Sequence, residues 1–277
     1  MDPEVRARRD LKDLRKNLYG LVALAEQAFP VKIGRRSHLR FMLASFAVKQ
    51  SEHANSLLKL VPSPDTMLIA RTMIEGLSQM LWAAKRPRHR PLLWRSFVFV
   101  HDWRQIQEHR AQGRPVDPQV ERVVRVGLRR FGHRFLTRQA QDARAAGRAL
   151  PDDPYMRNWY GERETEILRD VGGEDLLRQA YGPFSEWHHW RVGAIGRLVS
   201  FDEASGRFTM STSRPSDVAT ATACAFQCLW QTMQLLNARC RLGMGRELLG
   251  LLHLQLKLAK HRSPRSWLCK TGGRCDR

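Results

Sequence analysis

Tyrosine and asparagine are scarce, at four of each in 277 residues, and the five cysteines are an odd number without a CxxC pair. An odd count argues for reduced thiols rather than a disulfide framework, and the ligand spacings of structural zinc sites are missing. Cys224 and Cys228, in CAFQC, stand one helical turn apart on an apolar stretch and read as buried small hydrophobes, while Cys269 and Cys275 fall in a basic tail over 262–277. No metal and no cofactor is expected. A long uncharged run is also missing. The least polar segment, TMLIARTMIEGLSQMLWAA, carries Arg71 and Glu75, each of which would cost about 2.5–3.5 kcal/mol at a bilayer centre. It reads as a buried helix, with no membrane partner. The opening MDPEVRARRDLKDLRK is charged throughout and unlike a signal peptide, so the expected location is the cytoplasm.

Acid is the other shortage. Lys and Arg number 47 against 27 Asp and Glu, a net charge of +20. The preference for Arg over Lys, 38 to 9, is a common mark of a GC-rich genome and carries no function by itself. The excess of all cations is different, because it favours polyanionic partners such as nucleic acid. Between Arg86 and Arg148 fifteen arginines face five acids, so this stretch holds half of the net charge. Arg122, Arg125, Arg129 and Arg130, followed by Arg134 and Arg138, recur at helical steps beside Val123, Val126, Leu128, Phe131 and Phe135. A helix with one cationic and one apolar side could lie along a phosphate backbone, each contact adding about one unit to the salt slope. Arginines alone do not read bases.

The apolar periodicity predicts an all-α fold: a single bundle-like helical domain of about eight helices over 1–261, with one small β-hairpin near 198–212. Leu11, Leu14, Leu18, Leu21 and Ala25 mark a first helix from Pro3 to about Phe29. A second helix stops at the PSP of 62–64, and Asp65 is placed to cap the third. PLLWRSFVFVHDWRQIQEHRAQG and then 117–149 read as further helices, PDDPYMRNWYG as a loop, and two helices near 216–242 and 244–261 close the domain.

Three constellations could carry chemistry. Arg71 and Glu75 share a stripe of the third helix with Ser78, Gln79 and Trp82, either as a structural clamp or as the polar floor of a site. In YGPFSEWHHWRVG, Tyr181, Ser185 and His188 follow steps of four and three, with His189 one turn from Ser185. Either histidine could serve as a general acid or base oriented by Ser185 or Tyr181, or the segment could be an aromatic packing helix. Third, RQIQEH places Arg104 and His109 at the spacing of the compact helical ribonucleases of the HEPN superfamily, which resemblance implies an Arg–His pair acting on RNA across a homodimer.

Taken together, ARTMIEGLSQMLW, then RNWYG and YGPFSEWHHW, resemble a bacterial helical family catalogued as domain of unknown function 5677. The resemblance spans about 40–240. It implies an all-α fold and carries Arg71, Glu75, Tyr181, Ser185 and His188 or His189 forward as shared positions; no activity comes with it. The leading expectation is a nucleic-acid-associated accessory or defence-type protein. A metal-independent ribonuclease using His188, His189 or the Arg104–His109 pair is the second. A structural or protein-partner module is the third.

Overall fold

The computed structural model describes residues 3–196, 198–211 and 214–260. Among these the fold is all-α with a single hairpin, as the periodicity predicts. Its helices are α1 (Pro3–Gln27), α2 (His38–Leu60), α3 (Thr66–Ala84), α4 (Arg90–Ser96), α5 (Val98–Ala111), α6 (Pro118–Phe131), α7 (Arg138–Ala145), α8 (Glu164–Asp170), α9 (Glu174–Leu176), α10 (Gly182–His188), α11 (Val192–Gly196), α12 (Pro215–Cys240) and α13 (Gly245–Lys260). Strands β1 (Val199–Asp202) and β2 (Arg207–Met210) pair antiparallel, with Phe201 opposite Phe208. No helix is long and apolar enough to cross a membrane, among the described residues. The expected tail at 262–277 lies outside the described residues.

The sequence reads as one continuous domain, whereas the contacts form two compact units. One comprises the described residues of Met1–Trp82 and Glu164–Arg277, the other Ala83–Arg163. The second unit is therefore an insertion between α3 and α8. Periodicity reports local helices and is blind to which of them share a core.

In the first unit α12 is the central element and packs on α1, α2 and α13. Its ATATACAF stretch is buried almost throughout, because small side chains let neighbouring helices approach closely. Cys224 and Cys228 lie wholly inside, and burial pushes the Cys224 thiol up to about 12, so both behave as inert apolar groups. The buried hydroxyls of Thr222 and Thr232 donate to the carbonyls of Val218 and Cys228 four residues back. Between helices, Asn17 Nδ2 donates to Gln255 Oε1 (2.8 Å), Gln50 Nε2 to the Met73 carbonyl (2.8 Å), and Trp230 Nε1 to the Leu248 carbonyl (2.9 Å). These few directional bonds set the register of an otherwise apolar core. At the start of α3, the acceptor for the turn is Ser63 Oγ, which takes the Asp65 N–H (3.2 Å), rather than the expected Asp65 carboxylate.

In the inserted unit α5 packs on α6 through Gly127. A Cβ there would lie 2.3 Å from the Phe99 ring, so only glycine lets that ring reach the helix and stack on Phe131 (6.1 Å, interplanar 2°). Two expectations change here. Phe97 divides the helix expected from Pro91 onward into α4 and α5. The helix expected over 117–149 ends at Phe131, tightens to a 3₁₀ turn over Gly132–Phe135, and restarts at Arg138 after Thr137, whose hydroxyl accepts the Ala140 N–H (3.2 Å). The cause is tertiary: Leu136 forms a β-bridge with Tyr155, and the Met156 N–H donates to the Phe135 carbonyl (2.7 Å), pulling the chain out of helix.

Candidate functional site

Part of the expected first site is assembled. On α3, Arg71 Nη2 lies 2.9 Å from Glu75 Oε1, and Tyr181 Oη donates to that same oxygen at 3.1 Å. The Arg71 guanidinium carbon also sits 5.5 Å from the centre of the Tyr181 ring. Arg71 Nε is buried and has no hydrogen-bond partner among the described residues. Burial raises the pKa of Tyr181 and Glu75 adds to this, against the opposing pull of Arg71. A phenol held protonated in this way is a hydrogen-bond donor at neutral pH and not a base. The triad has the chemistry of a clamp fastening the segment after α9 to α3.

The rest of the stripe does not join it. From Glu174 to His188 the chain is helical, but it widens to π spacing over Leu177–Tyr181, where the Gly182 N–H reaches the Leu177 carbonyl. Pro183 accounts for the widening: it has no N–H to donate and its ring would strike the carbonyl four residues back in an ordinary turn. Tyr181 thereby faces the core at 8 % exposure, whereas His188 and His189 are exposed and meet each other edge to face at 4.8 Å. Neither imidazole bonds to Arg71, Glu75 or Tyr181 among the described residues. The Ser185 hydroxyl has no hydrogen bond either; its carbonyl accepts the His189 N–H that ends α10 (3.0 Å). The chain then turns through Trp190, whose φ of 54° lies in the left-handed region. The quoted segment is thus two short helices around a reversal and not one catalytic face.

Arg104 is engaged through Nε and Nη2 within the inserted unit. Its Nε donates to Asp153 Oδ2 (2.9 Å), and its Nη2 donates to the carbonyls of Tyr155 (3.0 Å) and Met156 (2.9 Å). The guanidinium closes the loop 153–156 onto α5, while His109 stands exposed near the end of that helix. The pair is not assembled as a joint site within this chain.

The arginines of α6 are arranged differently. Arg122, Arg125, Arg129 and Arg130 are all exposed, with Val124 and Gly127 on the buried side. The helix starts at Asp117, whose carboxylate accepts the Gln119 N–H (2.8 Å), with Pro118 at the first position. Val123 and Val126, expected on the packed face, are instead exposed among the arginines. Arg134 and Arg138 are exposed too, but on the 3₁₀ turn and α7, so they do not continue the row along α6.

Between α5 and α6 lies a groove of about 390 Å³ lined by Trp103, Arg110, Glu121, Arg125, Arg129 and Tyr155, among others. Glu121 accepts from both Arg110 (2.8 Å) and Arg125 (2.6 Å), and these guanidinium bonds hold its carboxyl below the ordinary range, outweighing the opposite effect of burial. One acid is thus shared by two cations, and Arg129 meets no carboxylate among the described residues. Trp103 and Tyr155 meet edge to face at 5.1 Å. Sequence reasoning missed Arg110, Trp103 and Tyr155 as groove residues. Trp103 and Arg104 are adjacent, an aromatic beside a cation, but Tyr155 arrives from a loop distant in sequence. No group of three or more His, Cys, Asp or Glu side chains suited to a metal ion occurs among the described residues.

No family model, curated protein or solved structure matches this chain.

Proposed function

We propose that this is a polyanion-binding protein whose cationic surface is α6 and the adjoining groove of the inserted unit, with single-stranded nucleic acid as the partner class. The observation that carries this reading is the set of exposed arginines lacking acidic partners. Arg122, Arg129, Arg130, Arg134 and Arg138 meet no carboxylate among the described residues. Phosphates would neutralise them with release of counterions. Trp103 and Tyr155 in the groove supply aromatic surface beside the cations, the combination that holds unpaired bases without reading their sequence. An accessory or defence-type role in the cytoplasm, and membership of the helical family named above, are parts of this proposal.

The test is binding of labelled single-stranded RNA and DNA across a salt series. Wild type is expected to lose affinity as salt rises, with a log–log slope of about −0.7 per phosphate contact. Changing Arg122, Arg129 and Arg130 together to Gln should flatten that slope by about two units and weaken binding to any sequence. Unchanged binding in this variant would remove the proposal. The ribonuclease alternative has less support, because Arg104 is engaged in a loop and neither exposed histidine has a hydrogen-bonded orienting group among the described residues. The same RNA, followed for breakage in the presence of chelator and with a His188→Ala/His189→Ala variant alongside, is expected to stay intact.

A further inference from the structure

The first unit contains a cavity unrelated to the arginine surface. It measures about 200 Å³ and lies between α3, the α8–α9 connection and α12. Its walls are mainly apolar, from Leu77, Leu81, Leu168, Val171 and Leu176. One wall is Gln227 of α12, a carboxamide in a residue only 2 % exposed. Its Oε1 is buried without a partner, and its Nε2 makes no hydrogen bond among the described residues. A buried carbonyl acceptor left unsatisfied is costly, and the common resolution is that something else completes it.

The remaining polar groups narrow what that something is. Ser78, also in the wall, has both the Glu75 carbonyl (2.8 Å) and the Glu164 carboxylate within reach of its one hydroxyl proton, whereas Gln227 Oε1 meets no donor among the described residues. Glu174 and Asp175 contribute to the lining, and no Lys or Arg does, although the chain carries +20. Asp175 is paired with the exposed Arg178; Glu174 makes no ion pair among the described residues. A phosphate or carboxylate would meet carboxylates there without a compensating cation. The space is above the roughly 150 Å³ that holds a benzene ring, which suits a flat bicyclic base of about ten heavy atoms, with any attached sugar left at the open rim beside the exposed Gly172 and Glu174. A carboxamide offers one donor next to one acceptor, and its complement is an edge with the same pair reversed, as on a nucleobase.

The rim is built for close packing. Gly172 has φ +77°, and a Cβ on Gly173 would lie 2.8 Å from Leu168 Cδ2 and 2.9 Å from the Leu168 carbonyl oxygen. The Gly173 N–H donates to that same carbonyl (2.8 Å), so the glycine pair holds the α8–α9 turn against the residue that forms a cavity wall.

We infer that this cavity is a binding site for a neutral, nucleobase-sized ligand, a free base or nucleoside, whose donor–acceptor edge pairs with the Gln227 carboxamide and whose ring lies among Leu77, Leu81, Leu168 and Leu176. The inference does not depend on nucleic-acid binding at α6, and its failure would leave that reading intact. The test is titration of the full chain with adenosine and with adenosine monophosphate, followed by calorimetry and saturation-transfer NMR. Saturable adenosine binding is expected, with the monophosphate weaker. Gln227→Leu removes an unsatisfied buried group at similar volume, so it should fold as well as wild type and bind adenosine about tenfold to a hundredfold more weakly. Leu81→Trp fills the cavity from the opposite helix while leaving Gln227 in the sequence, and should abolish binding in the folded protein. Adenosine bound equally by both variants, no saturation in wild type, or a monophosphate that binds as tightly as the nucleoside would each overturn the inference.

Discussion

Arg104 illustrates how a residue type at a suggestive spacing can be committed elsewhere. Its guanidinium holds a carboxylate and two main-chain carbonyls of the loop 153–156, acceptors that lie 49 to 52 residues away in sequence. A planar fork of donors does this and an ammonium does not. Arg104→Lys is therefore expected to destabilise the protein by about 2 kcal/mol despite conserving charge, seen as a lower urea midpoint with an unchanged slope. A variant as stable as wild type would show that the loop is held by other contacts. Tyr181 makes the complementary point. The Tyr181–Glu75–Arg71 arrangement was half legible: the sequence named the residues, and only the fold separated them from Ser185, His188 and His189. The signal that could have warned against one stripe was Pro183, which no regular α-helical turn accommodates in its interior.

At the scale of elements, α6 shows why amphipathicity alone misplaces a surface. The valines and arginines of PQVERVVRVGLRRF suggest two clean faces, yet Val120, Val123 and Val126 are each about half exposed and the packed side centres on Val124 and Gly127. The reason is Phe99, which uses the missing side chain of Gly127 as its seat. Gly127→Ala should accordingly cost stability, although alanine is the better helix former by about 1 kcal/mol, because the methyl must displace a ring already stacked on Phe131. A net loss of about 1–3 kcal/mol by chemical denaturation is expected. A gain would mean that Phe99 can leave its seat without loss.

For the whole molecule, the ends of two long helices meet in the first unit. The Glu4 carboxylate, in the first turn of α1, accepts from the Ser216 hydroxyl (2.7 Å) and the Ser216 N–H (3.0 Å), and lies 3.3 Å from Arg214 Nε. Burial pushes the Glu4 pKa up, but these hydrogen bonds and the arginine together hold it below its ordinary value. A carboxylate with a lowered folded-state pKa stabilises the fold at pH values above its unfolded value of about 4.3, and that contribution fades as pH falls through the folded value. Thermal unfolding followed from pH 6 down to about pH 3 should therefore show a steeper loss in wild type than in Glu4→Gln. Parallel curves would remove the Glu4 contact from the acid response. The charge excess acts at this scale too, because half of it falls within the segment that forms the inserted unit, whereas the cavity beside Gln227 belongs to the first unit.

The sequence by itself determined the helical character, the position of the hairpin, the burial of α3 and of the two α12 thiols, and the stretch in which cations concentrate. All of these follow from local periodicity and composition, which each segment carries in itself. Tertiary structure decided which helices share a core, where the 117–149 helix breaks, what Arg104 holds, and that Gln227 stands unsatisfied beside a cavity. Each of those depends on a contact between residues far apart in the chain: Leu136 with Tyr155, Arg104 with Asp153, and α3 with α12 across the inserted unit. Chain entropy leaves such partners unspecified until the core closes around them.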